Sequence, residues 1–176
     1  MVVAFLRGIN VGGHNKIAMS ELRELFEAVG FKGAQTVLQS GNVIFDAPAH
    51  SGDLLRNEIQ KRFGLSIEVF VRTAAELQSI VDANPFPEEV ETDSSHALVM
   101  FTREPIDSDM AANVQRVIVG PEVARAAAGH LLVHYSAGIG ISKLTNKMLE
   151  ATLGMRGTAR NWNTLLRILA IAAGGA

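Results

Sequence analysis

The chain has 176 residues, of which 48% are hydrophobic and 19% are charged, and its formal net charge is -2. This composition argues against a disordered chain, and no apolar run approaches the roughly 18 residues that a membrane helix needs. The chain contains no cysteine, which excludes disulfides and thiolate zinc sites and fits a reducing compartment. The apolar residues 1–6 are followed at once by Arg7 and lack the features of a signal peptide. We therefore expect a globular cytoplasmic protein that does not bind a membrane.

The first 72 residues are predicted to fold in the order β-α-β-β-α-β. Residues 2–6 are a continuous apolar run of strand length, and residues 22–29 have the spacing of an amphipathic helix that Gly30 would cap. The pattern then predicts strands at 35–39 and 43–46 joined antiparallel through Ser40-Gly41-Asn42, a helix from 55 to 63 that ends at Gly64, and a strand at 67–71.

Residues 96–176 are predicted to repeat this order and to end in an additional helix. The predicted elements are a strand at 97–102, a helix at 107–119, a hairpin of 123–127 with 131–135, a helix at 143–153 and a short strand near Thr158. No residue-by-residue repeat is visible, so this prediction depends on the order of the elements.

Residues 73–95 are predicted to link the two halves. The capping box Thr73-Ala74-Ala75-Glu76 would begin a helix that Asn84-Pro85-Phe86-Pro87 ends, and the acidic residues 88–93 are typical of a solvated loop. The predicted fold class is α+β, with tandem ferredoxin-like (βαββαβ) repeats and helices on one face of each antiparallel sheet. The opposite, apolar faces need cover, so the halves would pack on each other or share a sheet.

Four polar or glycine-rich segments stand out along the chain. They are Leu6-Arg7-Gly8-Ile9-Asn10-Val11-Gly12-Gly13, Leu38-Gln39-Ser40-Gly41-Asn42-Val43, Ser142-Lys143-Leu144-Thr145-Asn146 and Arg160-Asn161-Trp162-Asn163-Thr164. Together they resemble the signature segments of the bacterial family catalogued as domain of unknown function 1697 (DUF1697). The resemblance covers nearly the whole chain and implies a tandem ferredoxin-like arrangement. It implies no activity, so the chemistry of these segments has to come from their residues.

The first segment follows a predicted strand and suits a phosphate group. Its glycines can adopt positive φ and turn backbone N–H groups toward an anion, while its basic and amide side chains add donors. The candidate ligand-binding residues here are Arg7, Gly8, Asn10, Gly12, Gly13 and Lys16, with Ser40 and Asn42 added from the hairpin turn. In the alternative interpretation the glycines only permit a tight connection, and Arg7 and Asn10 bond to backbone carbonyls.

A second glycine-rich connection, Gly138-Ile139-Gly140-Ile141-Ser142-Lys143, precedes a predicted helix. Ser142 is a possible cap, and Lys143 and Lys147 would lie on successive turns at the positive end of the helix dipole. Ser142 and Lys143 are therefore candidate ligands for an anion. A capped turn with solvated lysines is the alternative.

Arg160, Asn161, Trp162 and Asn163 form the last candidate site. Asn161 or Asn163 can cap the final helix, but one cap does not explain an arginine and the only tryptophan beside it. The Trp162 ring beside Arg160 could stack on a nucleobase while an asparagine reads the edge of the base. Alternatively, Trp162 packs between the two halves and the polar residues lock that interface by hydrogen bonds.

No catalytic or metal-binding pattern accompanies these segments. None of the five histidines has a metal-ligand spacing, no serine lies in a Gly-x-Ser-x-Gly elbow, and Ser40 is better explained as a turn residue than as a nucleophile. We therefore predict neither a metal nor a cofactor.

Three classes of function fit these observations. The first is a cytoplasmic binding protein for a phosphorylated small molecule, a nucleotide or a nucleic acid, which uses residues 7–13 and 160–164. The second is a small-molecule enzyme in which Arg7, Asn10, Lys143 and Arg160 converge to position the substrate. The third is a structural or protein-partner scaffold without catalysis. No feature of the sequence indicates an oligomeric state.

Overall fold

The computed structural model describes residues 1–48 and 50–174, which form eight strands and seven α-helices. The strands make two separate four-stranded antiparallel sheets, so the protein is an α+β protein and its two halves do not share a sheet. The chain divides into two units: unit 1 is Met1–Ala75 with the segment from Ile168 onward, and unit 2 is Glu76–Arg167. Within the described residues, no helix combines the length and the apolar character needed to cross a bilayer.

Unit 1 contains its secondary structure in the predicted order. The elements are β1 (Val2–Leu6), α1 (Met19–Ala28), β2 (Lys32–Val37), β3 (Asn42–Asp46), α2 (Gly52–Phe63) and β4 (Val69–Thr73). The sheet has the order β2-β3-β1-β4, and Val2 of β1 lies opposite both Phe45 and Thr73. Helix α2 ends at Gly64 in the left-handed conformation, as the sequence predicts.

The helices of unit 1 cover one face of its sheet. Val2, Ala4 and Leu6 alternate along β1 and form a buried cluster with Phe26 of α1 and Ile59 of α2. The intervening residues of β1 are buried as well, so both faces of this central strand are covered. This explains why the strand reads as a continuous apolar run instead of an alternating one.

Unit 2 has the same order of strands and helices, preceded by two further helices. Its elements, with α3 and α7 extending across the division between the units, are α3 (Ala74–Asp82), α4 (Pro87–Asp93), β5 (Ala97–Thr102), α5 (Ser108–Val117), β6 (Val123–Ala127), β7 (His130–His134), α6 (Asn146–Leu153), β8 (Gly157–Asn161) and α7 (Trp162–Ala172). The sheet order is β6-β7-β5-β8. Met100, Val114, Leu131 and Leu149 belong to a buried cluster that joins helices α5 and α6 to this sheet.

Strand β2 begins and ends earlier than the predicted 35–39. Its register with β3 shifts between Lys32 and Gln35, where Gly33 has a positive φ of 63°. Leu38 has a φ of 59°, which is left-handed and incompatible with a strand. The strand therefore ends at Val37, and the connection to β3 starts one residue after it.

The acidic residues 88–93 form a helix, so the predicted solvated loop is wrong. Pro87 lies in the first turn of α4, where its fixed φ suits a helix and its missing N–H is not needed. Glu88 and Glu89 follow in the same turn, and negative side chains are favoured at this positive end of the helix dipole. The proline thus begins a helix here instead of only ending the preceding one.

Candidate functional site

The first loop, residues 7–17, forms a small hairpin between β1 and α1. The backbone N–H of Asn10 donates to Asn15 O (3.2 Å), and that of His14 donates to Val11 O (3.1 Å). Gly12 and Gly13 occupy the tip with φ of 59° and 81°. Two consecutive positive φ values are what a tight hairpin turn requires, so these glycines have a structural reason to be there.

Asn10 anchors the base of the first loop. Its Nδ2 donates to the carbonyl oxygens of Ile17 and Gln39, both at 3.0 Å, and its Oδ1 accepts from Ile17 N at 3.0 Å. Both the nitrogen and the oxygen of the Asn10 side-chain amide therefore bond to backbone groups, as the alternative interpretation of this loop predicts. Asn15 makes one further contact, from Nδ2 to Gly8 O at 3.0 Å.

A concavity of about 440 Å³ lies beside the first loop. Its lining residues are Asn10, Gly13, Lys16, Ile17, Ala18 and Gln39. Lys16 is exposed and makes no ion pair with any of the described residues. Ala18 is the N-cap residue of α1 and provides no side-chain hydrogen bond, so the N–H groups of the first turn lack a side-chain acceptor at that position. The local charge favours an anion, although Glu21 lies in the same first turn.

The other predicted ligand residues of unit 1 lie at the edge of this arrangement. Asn42 is fully buried, and its Nδ2 donates to Val37 O (2.8 Å) and Ser40 Oγ (3.1 Å), which closes the turn between β2 and β3. Arg7 is half-buried, and its backbone N–H donates to Glu68 O at 2.9 Å. The turn is held by the amide of Asn42, which is therefore not presented to a ligand.

The second loop, residues 138–144, does not place its lysine on a helix. Helix α6 begins at Asn146, and Thr145 caps it by accepting a hydrogen bond from Met148 N (3.3 Å). The prediction of a helix from residue 143 is wrong because residues 139–141 form a short 3₁₀ turn and Ser142 is extended. Lys143 consequently lies before the helix, outside its positive first turn.

Ser142 instead contacts a carboxylate. Its Oγ donates to Glu122 Oε1 and accepts from Leu144 N (3.0 Å). Glu122 is only 6% exposed and lines a cavity of about 240 Å³ together with both neighbours of Ser142 in the second loop. Sequence reasoning missed Glu122. Its only signal is an acidic residue directly before the strand at 123–127, which does not distinguish a buried carboxylate from a surface one.

The asparagines of segment 160–164 hold the chain that precedes β5. Asn161 Oδ1 accepts from Asn163 N (2.9 Å), which makes Asn161 the cap of α7, and its Nδ2 donates to Ser95 O (2.6 Å). Asn163 Oδ1 accepts from Ser94 Oγ (2.6 Å). These bonds fasten β8 and α7 to residues 94–95 within unit 2.

Arg160 and Trp162 are buried, with 8% and 2% of their surfaces exposed. Arg160 Nη1 donates to Thr158 Oγ1 (2.6 Å) and Ala159 O (2.9 Å), and burial lowers the pKa of Arg160 to about 10. The guanidinium therefore stays charged at neutral pH. Stacking on a nucleobase requires an open ring face, and the buried Trp162 offers none.

Acidic and histidine side chains meet in a shallow cleft of unit 2. Asp93 accepts hydrogen bonds from Ser95 Oγ (2.5 Å) and Ser95 N (2.9 Å), and both lower the pKa of Asp93. His96 Nε2 lies 3.5 Å from Asp93 Oδ2, and the ring centroids of His96 and His134 are 6.5 Å apart. Among the described residues, no three such side chains are arranged to hold a metal ion.

The four residues of the enzyme hypothesis belong to different units. Arg7 and Asn10 lie in unit 1, whereas Lys143 and Arg160 lie in unit 2. Within unit 2, Lys143 lines a cavity together with residues 117–122, which precede β6, whereas Arg160 lies on β8. Strands β6 and β8 are the two opposite edges of the sheet. Lys143 and Arg160 therefore do not form one cluster in that unit.

Two antiparallel sheets with covering helices define an α+β protein, and residues 1–131 match the family model described as "Protein of unknown function (DUF1697)". The chain belongs to this family, which confirms the resemblance; the last two signature segments lie beyond the matched residues. It is similar in structure to conserved bacterial protein SP0830 from Streptococcus pneumoniae, with a TM-score of 0.70, 19% identity and 97% of each chain covered. At this identity the likeness shows the fold alone. No curated protein matches the chain.

Proposed function

We propose that the protein binds an anionic ligand, a phosphorylated small molecule or a nucleotide, in the concavity beside the first loop. The observation that carries this proposal is the exposed ammonium group of Lys16, which has no acidic partner among the described residues. It lies two residues before the N-cap of α1, and that cap makes no side-chain hydrogen bond. A lysine and an uncapped helix N-terminus together favour a phosphate group.

The anchoring of the first loop supports the same proposal. The three hydrogen bonds of Asn10 fix the carbonyl of Gln39 and both polar backbone groups of Ile17, which line the concavity. A preformed site loses less conformational entropy on binding than a mobile loop would. Asn10 therefore supports the site through its geometry, while Lys16 and the exposed backbone at Gly13 face the ligand.

The proposed site omits the 160–164 segment. Its arginine and tryptophan are buried, and its asparagines bond to residues 94–95. The same reasoning omits Ser142, because an anion beside its hydroxyl would meet the carboxylate of Glu122. The ligand we propose is therefore a compact phosphate-bearing molecule and not an extended nucleic acid.

The test is calorimetric titration with inorganic phosphate and with adenosine monophosphate at low and high salt. We expect saturable binding that salt weakens and that Lys16→Ala weakens by roughly tenfold to a hundredfold, since a charged hydrogen bond contributes roughly 1.5 to 3 kcal/mol. Glu21→Gln should tighten binding, because the carboxylate of Glu21 opposes the anion. Lys32→Ala is the matched control, since Lys32 is an exposed lysine of the same unit that forms no ion pair with the described residues and lies outside the concavity.

Two results would contradict the proposal. One is the absence of saturable binding of either probe at low salt. The other is an equal effect of Lys16→Ala and Lys32→Ala, which would reduce the interaction to the general charge of the surface.

We also propose that the two units are tandem ferredoxin-like repeats of a cytoplasmic protein. The equivalent strand orders β2-β3-β1-β4 and β6-β7-β5-β8 support the repeat, and the absence of cysteine supports the compartment. Superposition of the two sheets with their helices in an experimental structure tests the repeat, and it fails if the helices lie on opposite faces.

A further inference from the structure

The cavity of unit 2 combines an apolar rim with a buried carboxylate. Val119 and Ile141 are 89% and 76% exposed, and Val117 and Met148 beside them are more than one third exposed. Exposed apolar side chains gathered around a cavity mark binding surfaces in soluble proteins. The volume of about 240 Å³ is below the roughly 300 to 1,000 Å³ of drug-sized pockets, so the cavity suits a small ligand.

The backbone makes room for Glu122 at this cavity. A Cβ atom on Gly120 would overlap Glu122 Oε2, so the carboxylate lies directly against the backbone at this glycine. Its Oε1 accepts from Ser142 Oγ, whereas its Oε2 has no hydrogen-bond partner among the described residues. Glu122 as a residue is thus buried by more than nine tenths, and no fully buried side-chain polar atom among the described residues lacks a partner, so Oε2 is open to the cavity and can accept a hydrogen bond.

The buried carboxylate, and not the net charge of the lining, selects a hydrogen-bond donor. Lys143 lines the cavity, but it forms no ion pair with Glu122 or with any other described residue. A buried carboxylate is stabilised by a charged hydrogen-bond donor, and it repels an anion placed beside it. A protonated amine could therefore pair with Glu122 while an attached apolar group contacts Ile141 and Val119.

We propose that this cavity binds a small ligand made of a protonated amine on an apolar body. The amine donates to Glu122 Oε2, and the apolar body packs against the side chains of Val119, Ile141 and Met148. This site lies in the other unit and takes the opposite charge from the phosphate site, so either proposal can fail without the other.

The experiment compares three molecules of nearly equal shape: benzylamine, benzyl alcohol and benzoate. Each is titrated at neutral pH into isotopically labelled protein, and backbone amide chemical shifts are followed by NMR. We expect benzylamine to shift the amides of residues 117–120, 122 and 141–144 saturably, benzyl alcohol to bind about tenfold more weakly, and benzoate to leave these amides unshifted.

Three variants locate the interaction. Glu122→Gln should reduce the affinity for benzylamine to that of benzyl alcohol, while the exposed Glu91→Gln should not change it. Ile141→Ala should weaken the binding of both molecules several-fold through lost apolar contact, and this exposed position can change without unfolding the protein.

Different outcomes test the role of the carboxylate and the existence of the site. Equal affinities for benzylamine and benzyl alcohol would overturn the role of the carboxylate, as would benzylamine binding that Glu122→Gln leaves unchanged. The absence of saturable shifts with every probe would overturn the site. If Glu122→Gln fails to fold, the comparison of the three probes on the natural chain and on Ile141→Ala still decides between these outcomes.

Discussion

The first loop and the second loop have similar sequences and different chemistry. Both follow a strand, contain several glycines and carry a lysine near a helix N-terminus. In the first loop the amide of Asn10 bonds to backbone groups, and Lys16 faces a concavity without an acidic neighbour in its lining. In the second loop Ser142 bonds to the buried carboxylate of Glu122. We therefore propose an anionic ligand for the first loop and a cationic ligand for the second.

The two loops differ in the side chains that hydrogen-bond to their backbone groups. Asn10 fixes the base of the first loop through Ile17 and Gln39, and leaves the tip at Gly12 and Gly13 free of packing constraints. The base and the tip of this loop should therefore respond very differently to substitution. Three predictions test the comparison, in order of decreasing effect.

Gly41→Ala should have the largest effect. A Cβ atom at this position would lie 2.8 Å from two atoms of Ile9 and 2.9 Å from Leu6 Cβ, and the φ of 80° disfavours any residue with a Cβ. Overpacking and the left-handed backbone together should lower the free energy of unfolding by about 4 kcal/mol. Urea denaturation measures this change.

Gly13→Ala is the matched control for that substitution. Its φ of 81° is nearly the same, but nothing lies within 4 Å of the added Cβ. We expect a loss of about 1 kcal/mol from backbone strain alone. If both variants lose the same stability, the first loop is not packed against the 38–42 turn as described.

Asn10→Gly should lower the free energy of unfolding by about 2 kcal/mol. The variant removes three hydrogen bonds, and glycine tolerates the positive φ of 54°, so the measurement isolates the bonds from backbone strain. Asn15→Gly is the control, because Asn15 also has a positive φ of 47° but makes only one exposed side-chain bond. We expect that control to lose about 0.5 kcal/mol in the same urea experiment. Equal losses would remove the special role of Asn10.

The order of the elements was predictable because the apolar residues that face the core recur along the sequence with the period of a strand or a helix. The run at residues 2–6 and the helical spacing through Leu22, Leu25 and Phe26 indicate β1 and α1 without further information. Helix α4 was not predictable in the same way. Pro85 and Pro87 both follow the end of α3, and the next helix begins at the second of these prolines. A proline marks an end and a beginning equally well in sequence.

The chemistry of the site was less predictable than the fold. The pattern of residues 7–16 indicates a polar loop, but the engagement of Asn10 depends on Gln39, which is 29 positions away along the chain. The pairing of Ser142 with Glu122 spans 20 positions. Such contacts depend on tertiary packing, and one sequence carries no local signal for them. The single tryptophan looked suited to ligand stacking, yet Trp162 is buried.

The last prediction concerns Tyr135, the only tyrosine, which reports on the carboxylate of unit 2 at alkaline pH. Burial of Tyr135, followed by the nearby charge of Glu122, raises the pKa of Tyr135 from 10.0 to about 12. The ultraviolet absorbance of tyrosinate should therefore appear at a pH about two units higher in the native protein than in urea. Glu122→Gln should move the native midpoint part of the way back, because the carboxylate is the second contributor.

The same shift sets the sign of the pH dependence of stability. The folded protein holds the phenol proton more tightly than the unfolded chain, so this contribution is fully present below pH 10.0 and is lost as the pH rises through about 12. Natural protein should lose about 2 kcal/mol more than Tyr135→Phe over that window, measured by urea denaturation at several pH values. A native midpoint near 10, with circular dichroism showing an intact fold, would contradict the burial of Tyr135, whereas a raised midpoint that Glu122→Gln leaves unchanged would mean that the charge of Glu122 does not contribute to the shift.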